Sequence, residues 1–230
     1  MTSAAAIRGN AGDQERIISA FATSLNRATC FETPYRHWIL RGVLPPDILN
    51  DIAALDLPVV DVGGLSGKRE YHNDARNYFD AFNIAAHPCA AAIAAAYQSS
   101  FMVRLIEEFF DTGIDGTFLR IEYAQDKTGF WLEPHTDLGV KRLTLLLYIS
   151  DSPEHDSLGT DIYDEEKSWV KRAPFEANCA LAFVPGNATF HGFEKREIKG
   201  VRKSLIVNYV TAEWRDREQL CFPDRPVRRN

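Results

Sequence analysis

From Thr117 onward the chain is a succession of short β-type runs, and this constrains its fold more than any other feature. TFLRIEYA, FWLEPHTD, RLTLLLYIS, SWVKRAP, CALAFVP, ATFHGF and VRKSLIVNYV follow at near-regular spacing with turn-forming residues between them. That pattern predicts a sandwich or a closed barrel. Pro185-Gly186-Asn187 ends one run and launches the next toward His191. Upstream of residue 113 the texture differs. Ile17, Ile18, Phe21 and Leu25 mark one amphipathic face, and Pro45-Pro46 opens a helix before Ile48, Leu49 and Ile52. The stretch 88–110 reads as one long helix. No repeat and no low-complexity linker divides the 230 residues, so the helices are expected to buttress a β-core within one domain.

Composition narrows the function classes. With 26 Lys+Arg against 32 Asp+Glu the net charge is −6, and a general nucleic-acid binder needs the opposite balance. The four cysteines, Cys30, Cys89, Cys179 and Cys221, form no C-x-x-C pair, which argues against a zinc site or disulfide framework and for a reducing, cytoplasmic setting. The most apolar run, near 85–97, is broken by His87 and Pro88 and is shorter than the ~20 residues that cross a bilayer. No membrane association is expected.

Six histidines remain to be sorted. His135 and Asp137 form H-T-D, and a strand would place both on one face. His191, after the Pro-Gly-Asn turn, is the third candidate. Two imidazoles and a carboxylate make a facial set that suits Fe(II) and leaves three coordination positions open. Further on, Arg202, Ser204, Ile206 and Asn208 share one parity, on a strand expected to run antiparallel to that of His191. An arginine inside a β-barrel requires an anion, because an unpaired buried charge is costly. Its planar fork suits a carboxylate.

His135-Thr136-Asp137, His191 and Arg202-x-Ser204, in this order and spacing, resemble the motifs of Fe(II)- and 2-oxoglutarate-dependent oxygenases, most closely the prolyl-hydroxylase-like group. LRIEYAQDKTGFWLEPHTD resembles that group's approach to its first metal histidine, and RLTLLLYIS its following strand. The likeness covers about residues 117–214. It implies a double-stranded β-helix (jelly roll, cupin-like) over 113–214, mainly helical support and lid loops over 1–112, and a C-terminal tail over 215–230. It implies that His135, Asp137 and His191 hold Fe(II), that Arg202 and Ser204 hold the distal carboxylate of 2-oxoglutarate, and that O2 is the oxidant. Tyr123 and Tyr148 stand as candidate cosubstrate contacts, with plain core packing as the other reading of each. Halogenating members of the family replace the carboxylate ligand by a small residue. Asp137 therefore implies hydroxylation, desaturation or ring closure.

Substrate contacts are sought on loops over the scaffold. The segment 63–79, with Arg69, Tyr71, His72, Asn73 and Arg76, reads as a lid whose arginines suit a carboxylate-bearing small molecule. Arg120 and Trp131 are further candidates, although Arg120 has Glu122 as an alternative partner and Trp131 a packing role. His37 is expected to pack, His87 to begin a helix and His155 to be solvated. Beside a small-metabolite dioxygenase stand two alternatives, a protein side-chain hydroxylase and a non-catalytic cupin-like metal or ligand binder.

Overall fold

A computed structural model describes residues 4–59, 67, 76–137, 139–150 and 152–230, with only the backbone for 4–11. The order is α1 (Ala4–Asn26), β1 (Thr29–Phe31), β2 (His37–Arg41), α2 (Pro46–Ala53), β3 (Asn77–Tyr78), α3 (Ala81–Ala86), α4 (Pro88–Gln98), α5 (Ser100–Phe110), then β4 (Phe118–Asp126), β5 (Leu132–His135), β6 (Lys141–Tyr148), β7 (Asp161–Tyr163), β8 (Trp169–Arg172), β9 (Cys179–Phe183), β10 (His191–Phe193) and β11 (Arg202–Val210). The strands form two antiparallel sheets. The larger runs β1-β2-β9-β6-β11-β4-β3 and the smaller β5-β10-β7-β8. This is the expected α+β, mainly β architecture.

Strand alternation sorts side chains into two cores. Leu119, Ile121 and Tyr123 of β4, Leu143, Leu145 and Leu147 of β6, and Leu205, Val207 and Tyr209 of β11 pack in one cluster with Phe21, Ile52, Ile93 and Ile106 of the helices. The opposite parity, including Leu146, Tyr148, Leu181, Phe183 and Ile206, packs with Ile162 and Phe193 of the smaller sheet. The large sheet is therefore covered by helices outside and by the small sheet inside. Its strands read as almost continuous apolar runs for that reason.

Three expectations need correction. The long helix breaks at Ser99, whose extended backbone (φ −69°, ψ 146°) starts α5 while its hydroxyl accepts from Met102 N. The two halves bend by 60°, and no single helix among the described residues is long and apolar enough to cross a membrane. The N-terminal part is not only helical, since β1, β2 and β3 extend both edges of the large sheet. Finally, β10 and β11 are not partners. β10 lies between β5 and β7 while β11 lies between β4 and β6, so His191 and Arg202 belong to opposite sheets.

Candidate active site

His135 ends β5 and His191 begins β10, and these residues are directly paired in register. Gly192 permits that approach, because a Cβ there would lie 2.8 Å from Leu132 O and 3.1 Å from Glu133 O. The imidazole centroids are 4.5 Å apart. Each ring is held from behind: His135 Nδ1 lies 2.8 Å from Glu133 O, and His191 Nδ1 3.0 Å from Thr189 O. A carbonyl accepts only, so both Nδ1 atoms carry the proton and both Nε2 atoms present a lone pair. Asp137 lies past the end of β5 rather than in it. Its place is set by β6, whose Lys141 Nζ and Thr144 Oγ1 each donate to one carboxylate oxygen at 2.5 Å. Burial alone would raise the Asp137 pKa. The Lys141 ammonium and the two hydrogen bonds outweigh it and hold the carboxyl well below its ordinary range. The candidate ligand atoms of His135, Asp137 and His191 all lie within 4.8 Å of one another.

Beside this set lies a cavity of about 40 Å³, lined by His135, His191, Arg202, Ser204, Thr160 and the apolar side chains of Phe130, Leu146, Phe193 and Ile206, among others. Arg202 and Ser204 share its wall, as their parity predicts. Arg202 donates from Nε to Leu158 O (2.8 Å) and from Nη1 to Asp126 Oδ2 (2.6 Å). Among the described residues the buried Ser204 Oγ has no hydrogen-bond partner. Arg202 and Ser204 thus meet at one small space. Tyr148 lies beneath them, its hydroxyl donating to Thr160 Oγ1 (2.9 Å) and its ring 5.7 Å from the Arg202 guanidinium.

Other predicted residues lie elsewhere. Tyr123 faces the helices, stacks on Phe79 and donates to Ile52 O at 2.9 Å, so it reaches no cosubstrate pocket. Arg120 is 1% exposed, bonds Gln219, Asn208 and Glu122 between the rings of Tyr78 and Trp214, and does not line the inner cavity. Trp131 lines an outer groove with Tyr163, Trp169 and Lys195 rather than the inner cavity. Arg76 does line the cavity, bonded to Asp126. Arg69, Tyr71, His72 and Asn73 lie outside the described residues. Of the lid segment, Gly67 is described, accepting from Glu133 N at 3.1 Å, and residues 76–79, of which Asn77 and Tyr78 are an edge strand.

His37 packs as expected, with Nδ1 on Tyr35 O at 2.7 Å, and His87 starts α4. His155 is a correction. It is buried at 5% exposure with Nε2 on Lys199 O at 2.7 Å, its polar sequence neighbours notwithstanding. The residue that sequence reasoning missed is Asp126, although it shares the even parity of Arg120 and Glu122 on β4 and pairs with Arg202 in register.

No protein-family model and no curated protein matches the sequence. Solved structures do match. A Pseudomonas putida prolyl-4-hydroxylase is 14% identical, with 84% of this chain and 98% of that one covered at a TM-score of 0.54. The viral collagen prolyl hydroxylase of Paramecium bursaria Chlorella virus-1, solved as its 2OG complex, is 14% identical over 76% and 96%, with a TM-score of 0.52. SnoN, a non-heme alpha-ketoglutarate-dependent epimerase of nogalamycin biosynthesis, is 14% identical over 85% and 83%, with a TM-score of 0.51. The chain therefore has the double-stranded β-helix fold that is shared by prolyl hydroxylases and other 2-oxoglutarate-dependent oxygenases.

Proposed function

We propose that this protein is an Fe(II)- and 2-oxoglutarate-dependent dioxygenase that hydroxylates an unactivated C–H bond of a small metabolite, such as an amino acid or biosynthetic intermediate, with release of succinate and CO2. The observation that carries the reading is the pairing of a two-imidazole, one-carboxylate set with a cavity walled by Arg202 and Ser204. The donor set fits Fe(II): two neutral nitrogens and one carboxylate, all positioned from behind by other groups.

His135, Asp137 and His191 would hold the metal. When bound, Fe(II) supplies the redox chemistry that couples O2 and decarboxylation of the 2-oxo acid to substrate oxidation. The chain's own residues do the rest. Glu133 O and Thr189 O fix the tautomer in which both Nε2 atoms carry the lone pair. Lys141 and Thr144 keep Asp137 ionised in a buried place. Arg202 and Ser204 would hold the distal carboxylate of the cosubstrate, with the Tyr148 ring beneath Arg202. Phe130, Leu146, Phe193 and Ile206 keep water from that end of the cavity.

We read the chain as one such domain acting in the cytoplasm, where four free cysteines stay reduced. The second reading, a protein side chain as substrate, draws on the prolyl hydroxylases among the matched structures. The test is anaerobic addition of Fe(II) and 2-oxoglutarate to the purified protein. A weak visible absorption should appear, and His135→Ala should abolish it by removing metal affinity. No absorption, together with unchanged iron and 2-oxoglutarate affinity in His135→Ala, would sink the assignment and leave the non-catalytic binder. Succinate release coupled to a panel of metabolites and peptides then separates the two substrate readings.

A further inference from the structure

We propose that Arg76 is a positioning residue for the cosubstrate: by engaging one oxygen of Asp126 it keeps Arg202 from being neutralised, and so sets how tightly the cavity holds a carboxylate. The inference rests on the cosubstrate reading above. Asp126 faces Arg202 across the β4–β11 ladder and divides its carboxylate between two guanidiniums. Oδ2 accepts from Arg202 Nη1 and Oδ1 from Arg76 Nη1, both at 2.6 Å. The three side chains are at most 7% exposed, and all line the cavity that contains Ser204. Aromatic rings fix the two cations in place, with Arg76 5.0 Å from the Phe130 centroid and Arg202 4.9 Å from that of Phe193.

The charge balance gives this arrangement a consequence. Arg202 and Asp126 alone would be a neutral pair, and an incoming carboxylate would meet Asp126 as a nearby like charge. Arg76 changes the sum. Among the described residues the trio carries two positive charges and one negative, so one positive charge remains for one ligand carboxylate. Glu122 also faces Arg76, at 3.6 Å, but Arg120 holds it more closely, at 2.9 Å. Arg202 is oriented independently of Asp126 by its Nε bond to Leu158 O. Arg76 therefore acts through Asp126 rather than by touching the cosubstrate.

The test uses calorimetric titration of 2-oxoglutarate into the full chain with Mn(II) in place of Fe(II), and it follows metal affinity and melting temperature in parallel. Arg76→Gln should weaken 2-oxoglutarate binding at least ~10-fold, with metal affinity held within about 3-fold. The double variant Arg76→Gln/Asp126→Asn, which restores the single net charge, should return to within about 3-fold of wild type. A merely structural Arg76 would show no such rescue. Unchanged affinity in Arg76→Gln, or a folded double variant as weak as the single one, overturns the proposal. Should Arg76→Gln fail to fold, the double variant decides alone, since it strands no carboxylate. A wild-type protein that binds Mn(II) but no 2-oxoglutarate would instead bring down the cosubstrate reading. Loss of binding in Arg202→Gln with none in Arg76→Gln would remove only the role of Arg76.

Discussion

The Tyr123 hydroxyl donates to Ile52 O at 2.9 Å, in the helix-facing layer that the cavity does not reach. Tyr148, on the inner face of β6, donates instead to Thr160 beside Arg202. Two tyrosines that the sequence offers as cosubstrate contacts thus differ in what their removal does. Tyr123→Phe should lower stability by about 1 kcal/mol, because a buried carbonyl loses its donor. It should leave 2-oxoglutarate affinity where it was, as denaturant unfolding and calorimetry would read. Weakened binding in that variant would put Tyr123 back in the site. The side on which each tyrosine falls was legible from alternation: Tyr123 has the parity of Leu119 and Ile121, while Arg120, Glu122 and Asp126 have the other. The same parity placed Arg202 and Ser204 on the cavity wall. It could not disclose that Asp126 sits opposite Arg202, because register is a property of paired strands and not of one.

Short elements hide their purpose in sequence. β7 is three residues long, with no alternation to announce it, yet its first residue organises the small sheet. Asp161 accepts from Arg172 Nε, Arg196 Nη1, Trp169 Nε1 and the Glu194 backbone N–H, and so ties β7 to β8 and to the chain leaving β10. Burial pushes its carboxyl up. The Glu194 amide, then Arg196 and Trp169, push it down further, and the net pKa lies below the ordinary 3.8. A carboxyl whose folded pKa is depressed stabilises the fold above its unfolded value, and that contribution is lost as pH falls through the folded pKa. Asp161→Asn should therefore cost stability that is constant above about pH 5, with the gap to wild type narrowing below about pH 4. Urea unfolding across that range measures it. A gap that persists unchanged into acid would mean that Asp161 acts by shape rather than by charge. His155 illustrates the same limit: its polar surroundings in sequence suggest solvent, and only tertiary packing under Lys199 and Phe175 buries it.

At the level of the whole molecule, the large sheet separates stability from chemistry. The break in texture near residue 113 foretold helices against a β-core, whereas the three N-terminal strands at the sheet edges were too short or too apolar to tell from helix edges. Helices α1, α2, α4 and α5 contribute side chains to the outer core only, and the cavity opens from the inner core. Neighbouring leucines on β6 report on each side. Leu145, fully buried, points to the helices; Leu146 lines the cavity. Leu145→Ala should lower stability by roughly 2–5 kcal/mol through lost burial and the void left behind. At temperatures where it stays folded, its 2-oxoglutarate affinity should remain within about 2-fold of wild type, since sites without shared partners behave additively. Leu146→Ala should lower both, because it opens the dry wall beside the cosubstrate. If Leu145→Ala weakened binding as much as Leu146→Ala, the helical layer would be coupled to the pocket through the sheet. The two leucines, adjacent in sequence and opposite in space, make that comparison with the chemistry of the substitution held constant.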